Sequence, residues 1–97
     1  MTYVYSAILS PEGDAYNVTF PDLPYCNTFG IGLDDALKMA EDALNEYLCV
    51  CEERNEPISP ASDVNAVNVP DGCIVTLIRA DTAEYRRAHS TKAVKKR

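Results

Sequence analysis

The first third of the chain distributes its side chains over two alternating faces, a pattern typical of β-strands. Residues 3–9 place tyrosine, alanine and leucine on one face and valine, serine and isoleucine on the other, so we expect this strand to lie inside a sheet. Residues 11–14 read Pro-Glu-Gly-Asp, which are residue types that hairpin loops need. The pattern therefore predicts an antiparallel partner strand over residues 15–20 and a third strand over residues 25–29.

Two prolines separate the second predicted strand from the third. Pro21 and Pro24 fix φ and remove two backbone donors, so strand pairing must stop between these strands. Gly30 and Gly32 then permit a tight reversal of the chain. Two aspartates follow at the predicted start of a helix, where the helix dipole favours negative charge.

A long amphipathic helix is predicted from residue 33 to about residue 54, because apolar positions recur there at spacings of three and four. These positions are Leu33, Ala36, Leu37, Ala40, Leu44, Tyr47, Leu48 and Cys51. We expect the stripe to cover the sheet, with Leu37, Leu44 and Leu48 each contributing on the order of 1.5–3 kcal/mol by burial. Acidic residues occupy the remaining positions, so the helix should present an acidic outer side.

The second half of the chain contains fewer regular elements. Residues 55–71 include three prolines, and we expect a connecting loop with a short edge segment around residues 64–67. Residues 73–78 are β-branched and apolar, which predicts a buried strand that completes a four-stranded sheet. Residues 81–84 have the residue types of a capping box, which predicts a short helix ending near residue 89.

These elements predict an α+β fold of order βββαβα, with one long helix covering a small antiparallel sheet of three or four strands. Residues 1–80 should form one domain, and residues 81–97 a short helix with a basic tail or linker. A chain of 97 residues suffices for one modest core. The sequence contains neither a long apolar run nor the pattern of a signal peptide, so we expect a cytoplasmic protein with no membrane partner.

The four cysteines do not predict a metal site or a disulfide framework. Cys49 and Cys51 are separated by one residue, whereas zinc knuckles use two, and the single histidine, His89, lies in the tail. A cytosolic location also favours free thiols. We therefore expect buried or spectator cysteines, no metal and no cofactor.

Charge is segregated along the chain. Residues 1–80 contain thirteen acidic and three basic residues, a net charge of −10, while residues 81–97 contain two acidic and six basic residues, a net charge of +4. An acidic body is suited to a basic protein partner, whereas a basic tail is suited to phosphate. Alternatively, the acidic surface serves solubility alone.

The stretch from residue 16 to residue 37 resembles the HicB antitoxin family. Its members typically carry Phe-Pro-Asp-Leu-Pro-Gly-Cys, a threonine, a Gly-Asp pair and Leu-Glu-Glu-Ala-Leu. The matching positions are Phe20, Pro21, Asp22, Leu23, Pro24, Cys26, Thr28, Gly30, Leu33, Ala36 and Leu37, with Asp34 and Asp35 replacing the two glutamates. Tyr25 departs from the pattern, since glycine is usual there, and Ile31-Gly32 replaces an acid and a helix-capping Thr or Ser.

This resemblance implies a partial ribonuclease H-like fold and an antitoxin that binds and occludes a HicA-type mRNA-cleaving ribonuclease toxin. We expect the toxin-binding residues around the proline turn and on the acidic helix face. They are Asp22, Leu23, Tyr25, Phe29, Glu41, Asp42 and Glu46. Leu23 and Phe29 would, in the alternative interpretation, simply fill the core. A homodimer or higher oligomer is also expected.

In the family, a tail similar to residues 85–97 commonly leads into a C-terminal DNA-binding module. Whether this chain is a truncated form or a short member without that module stays open at this point. The tail alone predicts weak, sequence-independent nucleic-acid binding through six basic residues. These are Arg86, Arg87, Lys92, Lys95, Lys96 and Arg97.

The sequence does not predict a catalytic site. Ribonuclease H-like enzymes need several carboxylates around metal ions, normally with one on the first strand, but residues 2–10 contain no acid. His89 has no obvious carboxylate to orient it, and residues 30–32 lack the third glycine and the lysine of a phosphate-binding loop. Three functions remain: an antitoxin, a stand-alone HicB-like module for another protein or ligand, and a weak nucleic-acid binder.

Overall fold

A computed structural model describes residues 1–95, and residues 90–95 by their backbone alone. The elements are β1 (Thr2–Glu12), β2 (Ala15–Thr19), β3 (Asn27–Ile31), α1 (Leu33–Arg54), a 3₁₀ turn (Val64–Ala66), β4 (Ile74–Asp81) and α2 (Thr82–Lys95). The strands form one antiparallel sheet in the order β3-β2-β1-β4. This architecture confirms the predicted α+β fold and its element order.

The central strand, β1, pairs with its two neighbours through different halves. Residues 2–9 pair with β4, and residues 8–12 pair with β2. β1 pairs with both β2 and β4 and is longer than the strand over residues 3–9 that the alternating pattern predicted.

The core lies between one face of the sheet and α1. Strand residues Tyr5, Ala7, Leu9 and Val18 point toward the helix together with neighbours from the proline turn and β4. The α1 residues in this core are Ala36, Ala40, Leu44 and Leu48. Leu44 and Leu48 are fully buried, as the helical spacing predicted.

Leu37 does not belong to the fully buried core, contrary to expectation. Its side chain is 36% exposed and lines a shallow groove beside β4, together with Leu77 and Ile78. β4 is an edge strand, so no further strand lies beyond it to cover this side of α1. The apolar stripe of α1 is therefore wider than the sheet beneath it.

Gly30 and Gly32 have separate roles at the junction of β3 and α1, whereas the sequence predicted a shared one. Gly32 has a φ of 84°, which residues with side chains rarely adopt, and it precedes α1. Gly30 lies within β3, where a Cβ atom would be 2.4 Å from the backbone nitrogen of Ala36. Gly30 thus allows β3 to pack directly against the first turn of α1.

The segment between α1 and β4 is tied to the body of the domain by hydrogen bonds. The Tyr5 hydroxyl donates to the Ser59 carbonyl, and Ser62 donates to Asp22. The prediction of a short edge segment around residues 64–67 is wrong, because Val64–Ala66 form a 3₁₀ turn. Asp63 caps this turn by accepting a bond from the Asn65 N–H at 2.9 Å.

Helix α2 continues to Lys95, which is further than predicted, and it packs beside α1. Its first residue, Thr82, is fully buried, and the Thr82 N–H donates to the Met1 carbonyl at 3.0 Å. The predicted cap is present, since Asp81 Oδ1 accepts from the Glu84 N–H at 3.1 Å. Within residues 1–95, neither helix has the length and apolar character needed to cross a bilayer.

Candidate functional site

The proline turn exposes one aromatic ring and buries its neighbours. Two successive turns form here, because the Leu23 N–H donates to the Phe20 carbonyl and the Cys26 N–H donates to the Leu23 carbonyl, each at 2.9 Å. Phe20 and Leu23 are each 1% exposed and point into the core. Tyr25 lies at the tip and is 88% exposed. Tyrosine is enriched at protein interfaces, so the exposed ring makes Tyr25 a candidate contact residue.

A groove of about 310 Å³ separates Tyr25 from α1. Its α1 wall is formed by Ala43, Glu46, Tyr47 and Val50, so it is mostly apolar with one carboxylate at its edge. We call this groove, with Tyr25, the Tyr25 groove. Its shape and composition suit a partner that combines an apolar side chain with a basic one.

Cys26 lines the Tyr25 groove but is not poised for chemistry. Burial, together with the neighbouring Cys51 and Glu46, raises the pKa of its thiol to about 11. The thiol donates to the Ala43 carbonyl at 3.6 Å. A thiol held in its protonated form is a poor nucleophile and a poor metal ligand, so Cys26 acts here as a packing residue.

The predicted toxin-binding residues on α1 border two different cavities. Glu46 lines the Tyr25 groove, whereas Glu41 and Asp42 lie beside α2. Asp42 also accepts a hydrogen bond from the Tyr85 hydroxyl at 3.2 Å. Glu46 and Glu41 are five positions apart and point in different directions. Asp42, in contrast, lies one turn before Glu46, and burial together with both of these carboxylates raises the pKa of Tyr85.

Three other predicted toxin-binding residues do not line the Tyr25 groove, and a toxin contact by Asp22 or Phe29 stays a prediction. Leu23 is a core residue, as the alternative interpretation held. Asp22 accepts two bonds from Ser62, from its N–H at 2.8 Å and from its hydroxyl at 2.6 Å, so it fastens the loop. Phe29 is 57% exposed, but the register pairs it with Asn17 on the sheet face opposite α1. Tyr25 and Phe29 therefore lie on different faces of the molecule.

Arg86 was predicted as a nucleic-acid contact, and the structure instead places it in an ion-pair network. Its guanidinium lies 2.8 Å from Glu52 Oε1 and 3.8 Å from Glu53 Oε2, and it donates to the Cys49 carbonyl at 3.2 Å. These contacts hold α2 against α1. Arg87 is exposed, and the side chains of Lys92 and Lys95, like all of Lys96 and Arg97, lie outside the part that the structure describes.

Glu52 is the centre of the same network and joins three elements. Its carboxylate accepts hydrogen bonds from the Tyr3 hydroxyl, from the Thr82 hydroxyl at 3.1 Å and from Arg86. Burial alone would raise the pKa of Glu52, but these bonds outweigh burial and the net shift is downward. Burial and the bond to Glu52 together raise the pKa of Tyr3 to about 12.

Two features of the site were not predicted from the sequence. The Glu52–Arg86 pair joins positions 34 residues apart, and only the packing of α2 on α1 brings them together. Asn45 is the second feature, because it is 5% exposed and its Oδ1 atom has no hydrogen-bond partner among the described residues. A polar residue next to Leu44 in the apolar stripe is the only sequence signal that could have drawn attention to it.

Chemical sites of the usual kinds do not assemble in the part of the chain that the structure describes. There, no three His, Cys, Asp or Glu side chains are grouped closely enough to hold a metal ion. His89 stacks on Tyr85 with ring centroids 3.8 Å apart, and its Nδ1 lies 2.8 Å from the Tyr85 carbonyl. His89 therefore makes these stacking and polar contacts with a residue of its own helix, α2.

Residues 5–94 match the family model described as the HicB_like antitoxin of bacterial toxin-antitoxin systems. This chain belongs to the HicB-like antitoxin family. The resemblance found in residues 16–37 is thereby confirmed over nearly the whole length. None of the curated proteins matches the chain in sequence.

Solved structures of HicB-like proteins share the fold. A toxin-antitoxin complex from Streptococcus pneumoniae superposes with a TM-score of 0.80 at 23% identity, covering 88% of this chain and 73% of that one. A HicA3 and HicB3 toxin-antitoxin complex gives a TM-score of 0.68 at 21% identity, covering 81% and 99% of the respective chains. The N-terminal domain of Burkholderia pseudomallei antitoxin HicB gives 0.63 at 27% identity, covering 80% and 95%.

Proposed function

We propose that this HicB-like protein is an antitoxin that binds a HicA-type ribonuclease toxin and covers the surface with which the toxin holds RNA. The observation that carries the proposal is the position of Tyr25. Its ring is 88% exposed and lies beside a mostly apolar groove, and the other wall of this groove is an acidic helix. Membership of the family supports the antitoxin role. Two similar structures are toxin-antitoxin complexes, which supports a toxin as the partner.

Charge complementarity supports a basic partner. The face of a toxin that holds RNA phosphates must be positive, and residues 1–80 of this chain carry a net charge of −10. Opposite charges of this kind raise association rates to about 10⁸ M⁻¹s⁻¹ or more at low salt. Exposed acids on α1 that serve this steering include Glu41 and Glu46.

Durable affinity requires an apolar centre in addition to charge. Tyr25 can insert its ring between partner side chains while the Tyr25 groove accepts an apolar group in return. Glu46 at the edge of the groove is placed to pair with a basic residue of the toxin. The proposed interface therefore centres on the Tyr25 groove, with the acidic side of α1 as its rim.

Co-expression with a HicA-type toxin tests the proposal. We expect the chain to restore growth to cells producing the toxin and to co-purify with it. Changing Tyr25 to serine should weaken binding at least about thirtyfold, the ~2 kcal/mol of a buried hot-spot aromatic, without lowering the melting temperature of the free protein.

Phe29→Ser is the matched control, because it removes another exposed aromatic ring from the opposite face of the sheet. This variant should bind the toxin with unchanged affinity. Loss of binding in Phe29→Ser, together with normal binding in Tyr25→Ser, would move the interface to the other face and contradict the proposed surface. Failure of the unmodified chain to bind the toxin would contradict the proposed function itself.

A further inference from the structure

A second cavity lies on the other side of α1 from the Tyr25 groove. It has a volume of about 340 Å³ and is bounded by α1, α2 and the end of β4. Its walls include Glu41, Asp42 and Asn45 from α1, Asp81 from β4, and Glu84 and Tyr85 from α2. We call this cavity the α1–α2 cleft. At about 30 Å³ per water it has room for roughly ten waters, or for one long side chain with a few waters.

The α1–α2 cleft carries more negative than positive charge. Four carboxylates line it, those of Glu41, Asp42, Asp81 and Glu84. The two basic residues in its walls are Lys38 and Arg79. Lys38 is directed to Asp34, whose carboxylate lies 3.3 Å away. The cleft therefore favours a cationic ligand.

Asn45 lines the cleft and carries a polar atom without a hydrogen-bond partner among the described residues. Its side chain is 5% exposed, and its amide Nδ2 donates to the Glu41 carbonyl at 3.0 Å. Its Oδ1 is buried and finds no donor among the residues that the structure describes. A buried acceptor without a partner costs free energy, which a ligand with an N–H group would recover.

The chemistry of the walls distinguishes between cations. A metal ion is disfavoured, since the described residues contain no group of three ligating side chains. The Tyr85 ring, stacked with His89 at 3.8 Å between centroids, offers an aromatic surface beside the carboxylates. A guanidinium group suits this combination, because it is planar, donates up to five hydrogen bonds and stacks on aromatic rings.

We propose that the α1–α2 cleft binds an arginine side chain of a basic partner protein. The guanidinium donates to the carboxylates of Glu41 and Asp42 and lies against Tyr85. It donates to Asn45 Oδ1 once the amide turns to bring this buried oxygen to the cleft surface. This inference deepens the proposed function, on which it rests for the identity of the partner: the toxin would contact both sides of α1, with an apolar anchor in the Tyr25 groove and an arginine in the α1–α2 cleft.

Titration with a small arginine derivative tests the site without any toxin. We expect Nα-acetyl-arginine methylamide to bind the isotopically labelled protein in the millimolar range and to shift the NMR signals of the Asn45 side-chain amide and of Tyr85. The citrulline derivative has nearly the same shape without the charge, and it should bind at least about tenfold more weakly. Equal shifts with both ligands, or arginine shifts spread over all acidic surfaces, would overturn the proposal.

Variants of the cleft locate the binding site. Asn45→Leu removes the acceptor and Glu41→Gln removes a charge at an exposed position, so the second variant stays informative even if the first folds poorly. Each should weaken arginine binding at least about fivefold. Glu56→Gln, which removes the same charge outside the cleft, is the matched control and should bind as the unmodified protein does.

The outcomes separate this inference from the proposed function. Arginine binding in the cleft without any toxin binding would retain the site and reject the toxin as partner. Toxin binding that is unaffected by Asn45→Leu and Glu41→Gln, together with no response to arginine, would reject the cleft and leave the antitoxin function intact.

Discussion

At the scale of single residues, Gly30 is where β3 and α1 approach most closely. A Cβ atom there would lie 2.4 Å from the Ala36 nitrogen and 2.5 Å from the Ala36 Cα, both backbone atoms that cannot move aside alone. Gly30→Ala should therefore reduce the free energy of unfolding by about 3 kcal/mol, the upper part of the usual range for overpacking. Chemical denaturation measures this loss.

Gly13→Ala provides the comparison for Gly30→Ala. Gly13 has a φ of 61° and no heavy atom within 4 Å of an added Cβ, so alanine there meets only the backbone cost of about 1 kcal/mol. A loss for Gly30→Ala no larger than that for Gly13→Ala would show that β3 can shift away from α1, contrary to our account of this contact.

The candidate site was partly predictable at the residue scale. Tyr25 was predicted as a toxin contact because it lies near the proline turn, and the structure exposes its ring, although the sequence placed it at the start of the third strand. The toxin contact itself stays a prediction. Leu23 was misplaced, since the direction in which it points depends on the two consecutive turns that begin at Phe20. Arg86 was misplaced as well, because its partner Glu52 lies on another helix.

At the scale of elements, hydrophobic periodicity predicted the number of strands and the bounds of α1, because each element contacts the core through one face. The third strand was predicted over residues 25–29 but lies at Asn27–Ile31, because the second of the two turns ends at Cys26. The same reasoning failed where neighbours decide the outcome. Leu37 is partly exposed because the sheet ends at β4. The segment Val64–Ala66 forms a turn because the Asp63 side chain accepts a hydrogen bond from its backbone. Such a local bond competes with strand pairing, and strand propensity alone does not reveal it.

The network around Glu52 joins β1, α1 and α2, and it should make stability depend on pH at both extremes. The pKa of Glu52 is lowered in the folded state, so its contribution is present above its ordinary pKa of 4.5 and is lost as pH falls through the lowered value. The pKa of Tyr3 is raised to about 12, so its contribution is complete below pH 10 and is lost as pH rises toward 12.

Tyr3→Phe tests the alkaline part of this dependence. Unfolding free energies at pH about 9 and about 11 should differ less in the variant than in the unmodified protein, because Tyr3 no longer ionises on unfolding. Some alkaline loss should persist, since burial also raises the pKa of Tyr85 to about 12. Tyr25→Phe is the matched control, and an equal effect of both variants would contradict a special role for Tyr3.

At the scale of the whole molecule, the two sides of α1 present different chemistry to a partner. The Tyr25 groove is apolar with Glu46 at its edge, and the α1–α2 cleft is acidic with a buried amide oxygen. Charge segregation along the sequence predicted an acidic body. It did not predict that the two sides of α1 differ. This difference arises because α2 packs beside α1 and contacts Asp42 and Glu52.

Competition between RNA and this chain for a HicA-type toxin tests the central claim most directly. A fluorescent RNA is first bound to a catalytically inactive variant of the toxin, and the chain is then titrated in. We predict stoichiometric release of the RNA, with one toxin freed from RNA per chain bound, and slower association as salt is raised. A ternary complex in which the toxin holds the chain and the RNA together would contradict occlusion of the RNA surface.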